Sequence, residues 1–196
     1  MNKKRKPKNN ELKKLKSQTR KKELINWSWI LTILIISFVL SVSLSFISEI
    51  SIKNTTLLIS IIVTLIFIFL GILFDIIGVS VTASDEKIFH SMSSRKVRAS
   101  KVAVKFKKNA DKVSSFCCDV IGDICGVISG ASGIAIVTIL VKTYSFSVLL
   151  TTLIVTGIIS SLTIGGKALG KSFTINKSNI ILYEFAKVVS IFYKGE

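Results

Sequence analysis

Residues 116–141 read FCCDVIGDICGVISGASGIAIVTILV. At 1.5 Å per residue a helix of this length is about 39 Å long, more than the roughly 30 Å of a bilayer's hydrocarbon core. Its only charged residues are Asp119 and Asp123, four apart and so on one face of an α-helix. Gly122, Gly126, Gly130 and Gly133 continue that face. Glycines at this spacing let a second helix approach closely. The stretch therefore reads as the central, most protein-enclosed helix of a membrane bundle.

Three more apolar runs accompany it, at 27–47, 56–82 and 146–164. The first opens with Trp27 and Trp29, which suit the headgroup zone. It is longer than a signal-peptide core, and no small-residue cleavage site follows it. The second carries one acid, Asp75, and the fourth none. Hydrophobic residues make up 49% of the chain, mean hydropathy is +0.61 and net charge is +16. A water-soluble domain rarely combines these, whereas a membrane protein segregates them. Of 27 Lys and Arg, 11 fall in residues 1–26, 9 in 83–115 and 5 in 165–196. Only Lys53 and Lys142 fall in the other two connections. The positive-inside rule then predicts four spans with both termini cytosolic. The expected fold class is an all-α integral membrane protein: four transmembrane helices plus cytosolic interfacial amphipathic helices, multi-pass in the cell (plasma) membrane.

The segments between spans carry patterns of their own. Residues 1–26 form a basic tail, read either as a disordered topology signal or as a ligand for anionic lipid headgroups. With no aromatic residue for base stacking in Met1 to Lys22, no nucleic-acid partner is expected. Over about 97–113, Arg98, Lys101, Lys105, Lys108 and Lys112 form a basic stripe. Ala99, Val102, Ala103, Phe106, Ala110 and Val113 lie opposite it. This predicts a helix lying along the cytosolic leaflet. A second such helix is predicted over about 178–194, with Ile181, Phe185, Val188 and Phe192 on one face and Asn176 or Ser178 as cap.

Acids inside spans are costly and face protein or water. Asp75 and Asp123 each fall about 10 Å from the cytosolic end of their span at 1.5 Å per residue. With Asp119 they put three carboxylates at similar depth, and Ser84, Ser114 and Ser115 add hydroxyls near the same mouth. Hard oxygen ligands of this kind suit Mg²⁺ or Na⁺. The alternative is that each acid is hydrogen-bonded or protonated and only helps the helices associate. Cys117, Cys118 and Cys125 give no disulfide or zinc spacing and read as small core residues. His90 reads as a headgroup-level residue. One histidine, and no nucleophile elbow, phosphate loop or zinc helix, predict no enzyme activity.

Three stretches share an order and spacing with a known domain. Ala83-Ser84-Asp85-Glu86 is similar to its A-S-E-T segment. Asn109-Ala110-Asp111-Lys112-Val113-Ser114-Ser115 is similar to N-P-E-R-L-L-S, and residues 126–133, GVISGASG, to G-I-L-S-G-A-F-G. From about Gly71 to Phe192 the chain resembles the transmembrane domain of the CorB/CorC/CNNM family, linked to magnesium and cobalt transport. The resemblance implies a three-span domain over 56–196, with 27–47 as an added span, a homodimer, and divalent cation transport or binding. The cytosolic nucleotide-sensing CBS pair that commonly follows has no counterpart before Glu196. The family's G-E-x-x-P-K segment falls on Gly166-Lys167-Ala168-Leu169-Gly170-Lys171. Where the family has a cation-holding acid, this chain has Lys167. Two functions follow from this: a cation transporter using Asp75, Asp119, Asp123 and the three serines, or a non-transporting scaffold or interaction protein in which Lys167 occupies the former cation site.

Overall fold

The computed structural model describes residues 27–52 and 56–192, with side chains for 27–50 and 56–191. The tail 1–26, Lys53 and Lys194 lie outside the described residues. Among those described there is no strand, and the helices run α1 Trp27–Ile52, α2 Leu57–Ala83, α3 Glu86–Ser94, α4 Ser100–Lys108, α5 Ala110–Ser115, α6 Asp123–Tyr144 and α7 Val148–Phe192. A π-helical segment, Phe116–Gly122, joins α5 to α6. Four of these helical stretches are long and apolar enough to cross a membrane: Trp27–Ile50, Leu57–Ala83, Ala110–Tyr144 and Val148–Ile191. The chain divides into two compact units, Met1–Ile35 and Ile36–Glu196. The described part of the first is the opening of α1, where Thr32 Oγ1 donates to Ser28 O at 2.7 Å.

In the second unit α2, α6 and α7 pack together. The distribution of side chains on α2 runs opposite to that of a soluble helix. Ser60, Thr64, Gly71, Asp75, Gly78 and Ser80 are buried, while Leu58, Ile62, Leu65, Ile66 and Phe69 are exposed. The buried hydroxyls are satisfied within the helix. Thr64 Oγ1 donates to Ser60 O at 2.8 Å and Ser80 Oγ to Ile77 O at 2.7 Å. Small residues also set how closely the helices meet. A Cβ on Gly71 would sit 3.2 Å from Cys125 Cβ and 3.4 Å from Gly122 O, so α2 and the π segment touch backbone to backbone. The glycine face expected on the third span is not one continuous seam. Gly122 and Gly133 sit against other helices, but Gly126 and Gly130 have open space beside them.

Helix α7 departs from the expected pattern. Residues 165–177 continue the helix, and the only non-helical residue inside it is Lys177 (φ −123°, ψ 21°). None of its glycines has a positive φ. Gly170 permits close packing instead, since a Cβ there would lie 2.8 Å from Ile76 Cγ1. Asn176 and Ser178 flank the kink at Lys177, and Asn176 Nδ2 donates to Ser172 O at 3.4 Å. The loop between α6 and α7 is short. Ser145 ends α6 in the left-handed region (φ 55°), and the Tyr144 and Phe146 rings stack at 5.6 Å.

The two amphipathic segments pack on protein. Phe89, Ala103, Leu182, Ala186 and Val81 are fully buried in one cluster, with Val102, Phe106, Ala110 and Val113 packed against it. The Phe106 and Phe185 rings lie 5.5 Å apart. The apolar face expected to lie on the leaflet is thus closed by α7 and the end of α2. On α7 the buried pair is Leu182 and Ala186, one position round from the expected face, and Val188 is exposed. The basic stripe stays outward, with Arg98, Lys101, Lys105, Lys108 and Lys112 all exposed.

Lys107, outside that stripe, ties the cluster to α2. Its ammonium donates to Val81 O at 3.1 Å and Thr82 O at 2.8 Å. These are carbonyls in the last turn of α2, where a cation also meets the negative end of the helix dipole. Lys107→Ala is expected to lower stability by about 1–2 kcal/mol, with Lys107→Arg losing less. Chemical unfolding in detergent measures both; no change in the alanine variant would show the contact to be inert.

Candidate functional site

Asp75 of the second apolar stretch and Asp123 of the third meet lysines from α7. Lys167 and Lys171 are four residues apart, so they lie one above the other on one helix face. Lys167 Nζ lies 3.3 Å from Asp123 Oδ1 and donates to Gly122 O at 3.4 Å. Gly122 leaves room beside this contact. A Cβ on it would stand 3.6 Å from that ammonium and 3.3 Å from Cys117 O. One turn on, Lys171 Nζ lies 3.6 Å from Asp75 Oδ2. α7 therefore carries two cations, each facing an acid from a different helix.

The two pairs differ in burial. Asp75 is 3% exposed, and its Oδ2 has no hydrogen-bond partner among the described residues. The charge of Lys171, whose side chain is half exposed, faces it. A carboxylate removed from water in this way depends heavily on that counter-charge. The Asp123 side chain is largely exposed, while that of Lys167 is mostly buried.

Asp119 stands apart from both pairs. It lies exposed on the π segment, in which the backbone bonds span five residues rather than four. The same segment turns Cys118 toward α2. Its thiol donates to Asp75 O at 3.6 Å and lies 4.0 Å from Ser114 Oγ.

The serines serve mainly local geometry. Ser84 is buried, follows the end of α2 and donates to Val81 O at 3.1 Å. Ser114 and Ser115 are half-buried on α5, just before the π segment. Nearby, Asp85 caps α3 through Lys87 N at 3.0 Å and its own N–H donates to Asn179 Oδ1 at 2.9 Å. His90 Nε2 pairs with Glu86 Oε1 at 3.1 Å. Among the described residues no three acidic, histidine or cysteine side chains converge. Of the candidates Asp75, Ser84, Ser114, Ser115, Asp119 and Asp123, the two acids Asp75 and Asp123 face lysines, and Ser114 lies beside Cys118.

Lys171 is the site residue that sequence reasoning missed. The signal was present in its spacing from Lys167 and in the unmatched Asp75. Comparison with family models, with curated proteins and with solved structures finds no match for this chain.

Proposed function

We propose that the chain is a four-span protein of the cell (plasma) membrane with both termini cytosolic. In it, a domain like the CorB/CorC/CNNM transmembrane domain acts as a non-transporting scaffold or interaction module. The outward placement of leucine, isoleucine and phenylalanine on α2, α6 and α7 supports the membrane setting, as does the one-sided distribution of lysine and arginine. The observation that carries the function is the Lys167–Asp123 contact, with Lys171–Asp75 beside it. An ammonium already supplies the positive charge that a bound cation would bring. A divalent ion entering there would have to displace it or sit against it, and like charges at such range repel strongly away from bulk water.

The basic stripe gives the module a partner. With the apolar face of α4 and α5 held in the protein cluster, the exposed Arg98, Lys101 and Lys108 face outward for anionic lipid headgroups, at roughly 1 kcal/mol each near a charged leaflet.

Cation handling is the second reading, favoured by one observation: the buried Asp75 Oδ2 has no hydrogen-bond partner among the described residues and faces a half-exposed lysine. Mg²⁺ flux in proteoliposomes separates the two. The unmodified protein and Asp123→Asn are both expected to stay at the level of empty vesicles. Saturable flux in the unmodified protein that Asp123→Asn abolishes would establish transport instead.

A further inference from the structure

A second polar feature lies away from the lysine pairs. A cavity of about 350 Å³ opens between the C-terminal part of α1 and the middle of α6. Ser45, Ser48 and Glu49 line it from α1, and Ser132 from α6. Its remaining wall is apolar: Ile128, Ala131 and Ala135. Ser48 and Ser132 are both more than nine-tenths buried, and their hydroxyl oxygens lie 3.2 Å apart.

The protons of these two hydroxyls are spoken for. Ser132 Oγ donates its single proton to Ile128 O at 2.8 Å. The bond between the serines must then run from Ser48 to Ser132. Ser48 and Ser132 are left with lone pairs only, and Glu49 contributes a carboxylate with no cationic partner among the described residues. These three residues offer acceptors and negative charge to whatever enters.

Ser132 precedes Tyr144, at the end of α6, by about 18 Å of helix. On the proposed topology Glu49, next to Ser48, is thus an acid inside the outer half of the membrane. Such acids face cavities and mark ligand paths.

We infer that this cavity binds a small organic ammonium ion, its N–H groups donating to Glu49, Ser48 and Ser132 and its apolar body resting on Ile128, Ala131 and Ala135. A bare metal ion fits less well. One carboxylate is a poor cage for it, and the volume is that of a small organic ligand.

The test uses the full chain in lipid nanodiscs titrated with n-hexylammonium chloride, with n-hexanol as the uncharged match and empty nanodiscs as baseline. Saturable binding of the ammonium but not the alcohol is expected. Glu49→Gln should weaken it at least about ten-fold, the loss typical of a charge-assisted hydrogen bond. Ala131→Phe, which fills the cavity, should remove binding while the chain still unfolds cooperatively. Equal binding of n-hexanol, or an unchanged affinity in Glu49→Gln, would overturn the inference. None of these readouts involves Mg²⁺, so failure here and failure of the lysine-pair reading are separate results.

Discussion

Leucine at Gly78 is expected to destabilise the protein by about 3 kcal/mol or more, the upper range for overpacking. Even a single Cβ at Gly78 collides with the Cys118 sulfur. It would also lie 3.1 Å from Ser114 O and 3.2 Å from Cys117 Cβ. Two of those three neighbours cannot yield cheaply, because one is backbone and the other belongs to the π segment packed against α2. The remaining leucine atoms would force α2 away from that segment and carry Asp75, one turn earlier, off Lys171. Gly78→Ala should be milder and Gly78→Leu severe. Unfolding in detergent measures the stability of each variant. A leucine variant as stable as the parent would mean that this close approach is absent.

The second large effect is expected at Lys171. Lys171→Leu leaves Asp75 buried with an orphaned charge. Breaking a fully buried pair costs about 3–5 kcal/mol, but Lys171 is half exposed, so about 2 kcal/mol is the expected loss. The informative variant is the double one. Asp75→Asn with Lys171→Leu removes both charges together and should recover most of the loss, because no ion is left unpaired. A double-mutant cycle by chemical unfolding reads the coupling directly. Additive losses, with no recovery in the double variant, would show that the two charges do not depend on each other.

What the sequence discloses here follows its periodicities. All-α structure with four long apolar helices is legible from the apolar runs alone, since few other structures use so many uncharged residues in succession. The four α-helical stretches so long and apolar are present among the described residues. The pairing of the inner acids was harder to read. No pattern marks which acid each α7 lysine meets: Lys167 faces Asp123 and Lys171 faces Asp75, while Asp119 lies exposed on the π segment from Phe116 to Gly122. Nothing in the residue types of that segment announces a wider turn.

Lys171 escaped for another reason. Glycines at 165, 166 and 170 suggest the end of a span, and a lysine past the end of a span reads as a topology signal. The helix in fact continues, because Gly166 and Gly170 are needed for contact with Ile72 and Ile76 rather than for a turn. The amphipathic segments show the same limit. Their two-sided pattern fits a membrane surface or a small protein core equally well, and only the packing of Phe89, Ala103 and Leu182 reveals the core. Glu49 lay beyond the expected end of the first span at Ile47, yet α1 runs on to Ile52 and brings it beside Ser132.

The claim that organises all of this is that Lys167 stands where a cation would otherwise be held. Mg²⁺ titration of the chain in nanodiscs, by calorimetry, tests it most directly when the unmodified protein is compared with Lys167→Glu. The variant trades the ammonium beside Asp123 and the Gly122 carbonyl for a second carboxylate. Saturable Mg²⁺ binding is predicted in Lys167→Glu and none in the unmodified protein. Binding by the unmodified protein as tight as that of the variant would contradict it.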